Sequence, residues 1–231
     1  MTSRVAIFTG GAGALGQAAS HRLLAAGGTV WIPYLVPADI EHLRATIAPD
    51  QLRRLHAEQV DVTEEGAFNA FVRRVLEQHG RLDALINIIG GFAPGDLAST
   101  AVSEWRRMMD LNLTSVVIAC RGVLPAMAKA RHGRIVNVTS RAALSPSAGS
   151  IAYTVSKAAV VTFTQVLAVE VRAHGITVNA VAPSTMDTPG NRAAMPNADR
   201  SEWVSTDAVA AVICFLASED SGAVTGAVVP V

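Results

Sequence analysis

The chain has 231 residues, half of them hydrophobic, and its 19 basic side chains are balanced by 19 acidic ones. A neutral chain of this length can bury one large core, and its charge gives no reason to expect nucleic acid or an anionic membrane as a partner. A small-molecule substrate is therefore the expected partner.

The N-terminus and the cysteines indicate the compartment. The chain begins MTSRVAIFTGG, where a short apolar stretch runs directly into glycines and lacks the longer apolar region and cleavage site of a signal peptide. We see no apolar segment of membrane-spanning length. Cys120 and Cys214 lie in apolar helical patterns and are interpreted as reduced core residues. These features predict a cytoplasmic protein.

Strand-like and helical segments alternate along the whole chain. The strand-like runs are, in order, RVAIFTG, GTVWIP, LHAEQVDV, ALINIIG, RIVNVTS, ITVNAVAPS and GAVVPV. The alternation predicts an α/β fold with right-handed crossovers, in which a doubly wound parallel β-sheet of Rossmann type is flanked by helices on both faces. No linker or repeat interrupts the pattern, so residues 1–231 are expected to form a single domain.

The first polar motif, TGGAGALG at residues 9–16, follows the first strand and precedes a helix. Gly10, Gly13 and Gly16 would allow a tight turn and the close approach of a pyrophosphate to backbone N–H groups at the helix N-terminus. An ordinary glycine turn is the alternative. The position at the start of the first βαβ unit favours a dinucleotide site.

The end of the second strand bears on the choice of dinucleotide. In such folds an acidic residue there holds the ribose of NAD, or an arginine accommodates the 2′-phosphate of NADP. Here Tyr34, Leu35 and Val36 supply neither charge, and Asp39 is expected to cap the following helix. The choice between NAD and NADP stays open.

Polar residues also follow the later strands. Asp61 comes after the third strand, Asn87 and Gly90 after the fourth, and Ser140 after the fifth. Since ligands of open parallel sheets bind beyond the carboxyl ends of the strands, these residues are candidates for the site. Asp61 has an equally good alternative as a cap for the helix that begins near Glu64.

Two further motifs are unusual for apolar helices. Tyr153 and Lys157, in YTVSK, lie four residues apart and therefore share one helical face. Asn112, in MDLNLTSV, lies inside a helical pattern although its amide competes for backbone hydrogen bonds. Asn112 is either a functional group or a residue that only kinks the helix, whereas the Tyr–Lys pair is typical of a reactive site.

The chain resembles the short-chain dehydrogenase/reductase family over essentially its whole length. The resemblance is carried by the order and spacing of TGGAGALG, Asp61, INIIGG, Asn112, RIVNVTS, YTVSK and NAVAPSTMDT. The resemblance implies an NAD(P)-dependent oxidoreductase that transfers a hydride between its cofactor and a carbonyl or alcohol substrate. It implies that Tyr153 is the general acid or base, and that Lys157 lowers the pKa of the Tyr153 phenol and binds the nicotinamide ribose. Ser140 would orient the substrate oxygen, and Asn112 would position a water that relays protons.

The resemblance also implies a set of cofactor contacts along the carboxyl edge of the sheet. Three details depart from the commoner family pattern: Ser184 follows Pro183 where glycine is usual, Ala14 replaces a frequent glycine, and INIIGG replaces an Asn-Asn-Ala-Gly sequence. The implied contacts are Thr9, Gly10, Gly13, Ala14, Leu15, Gly16, Asp61, Val62, Asn87, Gly90, Tyr153, Lys157, Pro183 and Thr188.

Residues 184–206 are the expected substrate-binding loop. They have no clear periodicity and are expected to be structureless, and a structureless stretch of this length in a compact domain is usually functional or mobile. Met186, Met195 and Trp203 could contact a substrate ring or chain. Three segments of the chain are similar to segments of dihydropteridine reductases, a branch of the same family: DTPGNRAAMPNAD, GGAGALG and GGFAPG. That resemblance implies that Phe92 stands beside a pterin. The retention of Ser140 favours a carbonyl or alcohol substrate instead.

Three functions are therefore weighed: a carbonyl or alcohol oxidoreductase, a pterin reductase, and a catalytically silent dinucleotide-binding regulator. No metal is expected, because the six histidines are scattered and no metal-ligand spacing occurs. The helix from Ser156 to Val171 is apolar on nearly all sides. The resemblance implies that it pairs, with the helix containing Asn112, across the axis of a homodimer or homotetramer.

Overall fold

A seven-stranded parallel sheet forms the centre of the protein in a computed structural model that describes residues 4–231. Residues 1–3, where the stretch used to argue against a signal peptide begins, lie outside the described residues. All seven strand-like runs form strands of this sheet, in the spatial order β3-β2-β1-β4-β5-β6-β9. The strands are β1 Val5–Thr9, β2 Thr29–Tyr34, β3 Leu55–Gln59, β4 Ala84–Asn87, β5 Gly133–Val138, β6 Ile176–Ala182 and β9 Val228–Pro230.

Helices connect these strands and cover the sheet. They are α1 Ala14–Ala25, α2 Pro37–Thr46, α3 Glu65–His79, α4 Val102–Met109, α5 Ser115–Ala130, α6 Ile151–Val171, α7 Pro189–Ala194 and α8 Thr206–Leu216. One turn of π-helix, Asp110–Thr114, joins α4 to α5, so that residues 102–130 form one long interrupted helix.

Two apolar clusters lie on opposite faces of the sheet. Side chains of α3, α5 and α6 pack on one face, and side chains of α1, α2 and α8 pack on the other. Successive side chains of β1 point to opposite faces of the sheet, so Ile7 belongs to the first cluster and Phe8 to the second. Burial on both faces explains why the strands are continuous hydrophobic runs, and it confirms the predicted doubly wound α/β fold.

The strand order reverses between β1 and β4. From β1 the chain proceeds outward to β2 and β3, and then returns to pair β4 with the other side of β1. The loops after β1 and β4 consequently diverge and leave a crevice at the carboxyl edge of the sheet, where ligands of such folds bind.

A chain of polar side chains crosses the buried centre of the sheet just below this edge. Thr9 Oγ1 donates to Asn87 Oδ1 at 3.2 Å, and Asn87 Nδ2 donates to Asn137 Oδ1 at 2.9 Å. Asn137 Nδ2 then donates to Thr164 Oγ1 of α6 at 2.9 Å. All four side chains are buried, so their amide and hydroxyl groups satisfy one another in place of water.

The long helices require a correction to the sequence analysis. Residues 102–130 and 151–174 are long and apolar enough to span a membrane by length and composition alone, although no such segment was expected. Part of each segment packs in the core on one face of the sheet, through Val116, Val123 and Met127 of the first segment and Leu167, Ala168 and Val171 of the second. Cys120 and Cys214 form no disulfide with each other; Cys120 lies in the core, as predicted, whereas Cys214 is only partly buried. Burial raises the pKa of Cys120 to about 12.

Two local expectations were also wrong. Helix α2 begins at Pro37 with Val36 as its N-cap, so Asp39 lies in the first turn and does not cap the helix. Proline has the helical φ angle already fixed and needs no N–H partner at this position, so it starts the helix earlier. Residues 184–206 are not structureless, because two short parallel strands, β7 Met186–Asp187 and β8 Val204–Ser205, enclose α7.

The buried polar chain yields the first prediction. Asn137→Leu should lower the free energy of unfolding by about 2–3 kcal/mol, because Asn87 loses its acceptor and Thr164 loses a donor inside the core. Thr177→Val is the matched control. Thr177 is also a buried strand residue, but its hydroxyl has no hydrogen-bond partner within residues 4–231, so its removal should leave stability unchanged or raise it. Urea unfolding followed by circular dichroism measures both effects, and equal losses in the two variants would contradict the role assigned to the chain.

Candidate active site

A cavity of about 290 Å³ lies at the crevice between the loops after β1 and β4. Gly10, Gly13, Ala14 and Leu15 of the glycine loop form one side. Val36 and its neighbours after β2, and Ile88 to Gly90 after β4, form the others. The walls are mainly apolar side chains and backbone, with Asp39 as a charged exception, which suits an adenosine group next to a turn that could bind phosphate.

The glycine loop is held in its shape by close backbone contacts. Gly10 has φ of +71°, and a Cβ there would lie 2.8 Å from the backbone N of Ile89. A Cβ on Gly16 would lie 2.3 Å from the carbonyl oxygen of Gly10. The loop therefore leads directly into α1, whose N-cap, Gly13, has no side chain to bond the free N–H groups of the first turn. These N–H groups can donate hydrogen bonds to the oxygens of a phosphate.

Several predicted cofactor residues do not present their side chains to this cavity. Thr9 and Asn87 are buried in the polar chain beneath it. Asp61 accepts hydrogen bonds from the backbone N and hydroxyl of Thr63, at 2.8 and 2.7 Å, and so stabilises the turn before α3 without capping the helix. The neighbouring Val62 does line the cavity, as does Gly90.

Pro183 and Thr188 lie beyond β6. The carbonyl oxygen of Pro183 accepts a hydrogen bond from Arg141 N at 2.9 Å, which connects this segment to the turn after Ser140. The Thr188 hydroxyl accepts from Asn191 N at 3.1 Å and caps α7.

Ser140 and Tyr153 bring two hydroxyl groups together. Ser140 follows β5 in extended conformation, and its Oγ accepts from Ala142 N at 3.2 Å. Tyr153 lies in the first turn of α6 and is partly buried. Burial raises the pKa of the phenol above its ordinary value, whereas hydrogen bonding with the Ser140 side chain acts in the opposite direction. The phenol therefore stays protonated at neutral pH in the chain alone.

Lys157 lies one turn further along α6 and is buried. Its Nζ donates to the carbonyl oxygen of Val138 at 3.0 Å, and its own carbonyl accepts from Thr139 Oγ1 at 2.7 Å, so α6 is joined to the end of β5 at two points. Burial lowers the pKa of the ammonium to about 8. The charged form is thus present at neutral pH and lost in mildly alkaline solution.

Asn112 occupies the π-helical turn between α4 and α5 and is fully buried. Its side chain bonds both polar groups of Gly91, accepting from N at 2.8 Å and donating to O at 3.1 Å, and it also donates to Ser156 Oγ at 2.9 Å. A Cβ built on Gly90 would lie 2.6 Å from Asn112 Oδ1 and 2.9 Å from Lys157 Nζ. The two side chains therefore converge on the loop after β4.

The sequence analysis missed several residues of this region. Tyr34 and Val60 line the cavity from the ends of β2 and β3, and Ile88 and Ile89 line it from the loop after β4. Their place after the strands was a usable signal, but charged and polar groups were given most weight there. Ser156 was overlooked because its hydroxyl matters only once Asn112 is brought beside it.

The arrangement combines a turn that could bind a phosphate with a group that could transfer a proton. A phenol, a serine hydroxyl and a buried ammonium lie at the carboxyl edge of the same sheet as the glycine loop. Within residues 4–231, no group of three or more His, Cys, Asp or Glu side chains is placed to hold a metal ion. The residues present fit a dinucleotide cofactor, and the hydroxyl pair could exchange a proton with a substrate oxygen.

Comparison with known proteins agrees with this geometry. Residues 4–199 match the family model for short chain dehydrogenases. The chain is 34% identical to the (2S)-[(R)-hydroxy(phenyl)methyl]succinyl-CoA dehydrogenase subunit BbsD of Thauera aromatica, over 98% of this chain and 94% of the relative. It is also 34% identical to 2-(R)-hydroxypropyl-CoM dehydrogenase of Xanthobacter autotrophicus, over 97% and 95%.

Solved structures give the same result. ElxO with NADP bound superimposes with a TM-score of 0.91 at 28% identity, covering 99% of this chain and 97% of ElxO. The match extends over the whole sheet and all the loops that form the site. This protein therefore belongs to the short-chain dehydrogenase/reductase family and is an oxidoreductase of that family.

Proposed function

We propose that this protein interconverts a secondary alcohol and a ketone with a nicotinamide dinucleotide as hydride carrier. The observation that carries the proposal is the position of Tyr153 on α6, one helical turn from the buried Lys157, whose ammonium is bonded to Val138 at the end of β5, the strand that Ser140 follows. The names of the two dehydrogenases described above support it, because each names a carbon that carries one hydroxyl group and two carbon substituents.

A bound nicotinamide dinucleotide would supply a hydride to the substrate carbon in reduction and accept it in oxidation. The residues of the chain handle the proton. In reduction Tyr153 gives its phenolic proton to the substrate oxygen as the carbon gains the hydride, which yields the alcohol. Ser140 donates a hydrogen bond to the same oxygen and holds it near the phenol.

Lys157 favours the phenolate that remains after this transfer. Its ammonium is buried, so its charge is poorly screened by water. Asn112 acts through the backbone, since it fixes the loop that contains Gly90 and Gly91 next to Lys157. In the direction of alcohol oxidation the phenolate is the base, and it becomes more abundant as the pH rises.

The cavity beside the glycine loop would hold the adenosine half of the cofactor, and the N–H groups at the start of α1 would hold its phosphates. Asp39 lines this cavity, and among the described residues 4–231 no lysine or arginine lines it. A 2′-phosphate would bring a second negative group close to the Asp39 carboxylate without a cation to offset it. We therefore propose NAD as the preferred cofactor.

Substrate contacts are assigned to residues 184–206, within a single cofactor-binding domain formed by residues 1–231. The strand pair β7 and β8 and the ion pair between Arg192 and Asp187, at 2.6 Å between Nη2 and Oδ2, give this segment its shape. We place the protein in the cytoplasm, where its free thiols remain reduced.

The two other hypotheses are less well supported. A pterin reductase has no need of the Ser140 hydroxyl beside Tyr153, because a quinonoid pterin needs less polarisation than a ketone. A silent regulator would not need the buried ammonium at all. Burying Lys157 costs free energy, which the contacts with Val138 and Thr139 only partly offset.

A stripe of exposed valines on α6 supports a homodimer or homotetramer. Val155, Val166 and Val169 are 40%, 52% and 78% exposed, and their spacing places them on one side of the helix. We propose that this stripe packs against the same helix of a second copy, with α5 at its border.

Replacement of the phenol tests the catalytic assignment. Tyr153→Phe should lower kcat for ketone reduction at least about 100-fold, because the proton donor is lost while the ring is kept. NADH binding, followed by fluorescence, should be unchanged. In the unmodified protein, alcohol oxidation should accelerate from pH 7 towards pH 8, since the raised pKa of Tyr153 keeps the base protonated at lower pH. The gain should shrink at higher pH, because the Lys157 ammonium that favours the phenolate loses its proton there. Full activity in the variant would contradict the proposal.

The cofactor preference is tested with Asp39. The unmodified protein should use NADH with at least roughly tenfold higher kcat/KM than NADPH, because like charges brought together at a binding site cost several kcal/mol. Asp39→Asn should raise kcat/KM for NADPH and change that for NADH little. Glu41→Gln, an exposed acid on the same helix that does not line the cavity, is the charge-matched control. Equal use of the two cofactors by the unmodified protein would reject the preference.

The association state is tested by light scattering after size exclusion. Val169→Glu should dissociate the assembly into monomers, because it buries a charge in an apolar contact. Leu52→Glu, which is 38% exposed and precedes β3 at the far edge of the sheet, should leave the assembly intact. A monomeric unmodified protein would exclude the valine contact.

A further inference from the structure

Phe92 places an exposed aromatic ring directly beside the candidate proton donor. Its side chain is 62% exposed, yet its ring centroid lies 5.0 Å from that of Tyr153, with an angle of 69° between the ring planes. This is an edge-to-face contact, which aromatic rings favour because their edges and faces carry opposite partial charges. Most of the Phe92 ring surface remains free.

The backbone on both sides of Phe92 is fixed. Gly91 exchanges two hydrogen bonds with the buried amide of Asn112, at 2.8 and 3.1 Å. Ala93 is buried in a small cluster with Met108 and Ala152, against which Tyr153 also packs. The ring is therefore held next to Tyr153 by buried neighbours, while its own side chain stays largely in solvent.

This position restricts what can approach the phenol. A substrate whose oxygen reaches the Tyr153 hydroxyl carries its substituents within a few ångströms of the reacting carbon, and Phe92 borders that space. A flat aromatic substituent can lie against the free surface of Phe92 and gain ring-to-ring attraction in addition to burial. A saturated ring of similar size gains only the burial of apolar surface.

We propose that Phe92 determines specificity by binding an aryl group attached to the reacting carbon, so that the substrates are aryl ketones and the corresponding benzylic alcohols. The inference rests on the proposed ketone and alcohol chemistry and adds the substrate class. Phe92 is a binding residue in this account and takes no part in the proton transfer.

The test compares acetophenone with methyl cyclohexyl ketone, which differ only in the unsaturation of the ring, together with a panel of acyclic ketones and NADH. In the unmodified protein both ring ketones should be reduced. Phe92→Leu should lower the ratio of kcat/KM for acetophenone to that for methyl cyclohexyl ketone roughly fivefold to tenfold, the size expected for a lost aromatic pair. The change should lie mainly in KM. Phe92→Tyr, which keeps the ring, should retain the ratio.

Leu97→Ala is the matched control. Leu97 is 71% exposed in the same segment after β4, and it lines an apolar pocket with Val155 whose lining includes neither Phe92 nor Tyr153. Its replacement should leave the substrate ratio unchanged. Loss of the Phe92 ring could also disturb Tyr153 in general. Such a disturbance would lower kcat/KM for both ketones equally, so it would leave the ratio unchanged and would not reproduce the expected result.

Each outcome separates the inference from the proposed function. An unchanged ratio in Phe92→Leu, or equal losses on both ring ketones, would overturn the role of Phe92 and leave the proposed function standing. Turnover of acyclic ketones without turnover of acetophenone would do the same. Absence of turnover on the whole panel, in both directions and with both cofactors, would overturn the proposed function and the inference together.

Discussion

The hydrogen bond between Asn87 and Asn137 is the contact on which the geometry of the site depends. It joins β4 to β5 in the centre of the sheet, and Asn137 continues to Thr164 on α6. Gly90 follows Asn87 by three residues, and Ser140 follows Asn137 by three, so both site segments start from this bonded pair. In an apolar core a polar pair admits one register, because any shift would leave amides without partners. Two strands and a helix are thus aligned before the loops begin.

Most of the fold could be predicted from the sequence because parallel strands buried on both faces leave long hydrophobic runs. The Tyr153–Lys157 pair was equally visible, since its spacing is local to one helix. The orientation of side chains after the strands was less accessible. Thr9 and Asn87 follow the same pattern as cavity residues, but their side chains turn inward to bond each other. The inward direction of these side chains depends on a contact between residues 78 positions apart in the chain. A local sequence pattern gives no information on such a contact.

The short strands in the loop before the last helix could not be predicted from the sequence for the same reason. The strands β7 and β8 have two residues each, and they exist only because Met186 pairs with Val204 across the loop. Segments this short have no periodicity to detect. Asp39 differs, since the proline before it was a readable signal for an earlier helix start. Because the helix starts earlier, the Asp39 carboxylate lies at the wall of the cavity. Asp39 is therefore a candidate cofactor contact and not the helix cap that the sequence analysis expected.

The π-helical turn at Asp110–Thr114 gives the long helix two different phases. Such a turn inserts one residue, which rotates everything before it by about 100° relative to an uninterrupted helix. Met108 of α4 therefore faces the loop segment that contains Ala93, while Val116 and Val123 of α5 face the sheet. The two halves of the helix can thus accumulate substitutions under separate constraints. Relatives that share the α5 half can differ in the α4 half, and with it in the shape of the loop after β4, without disturbing the core.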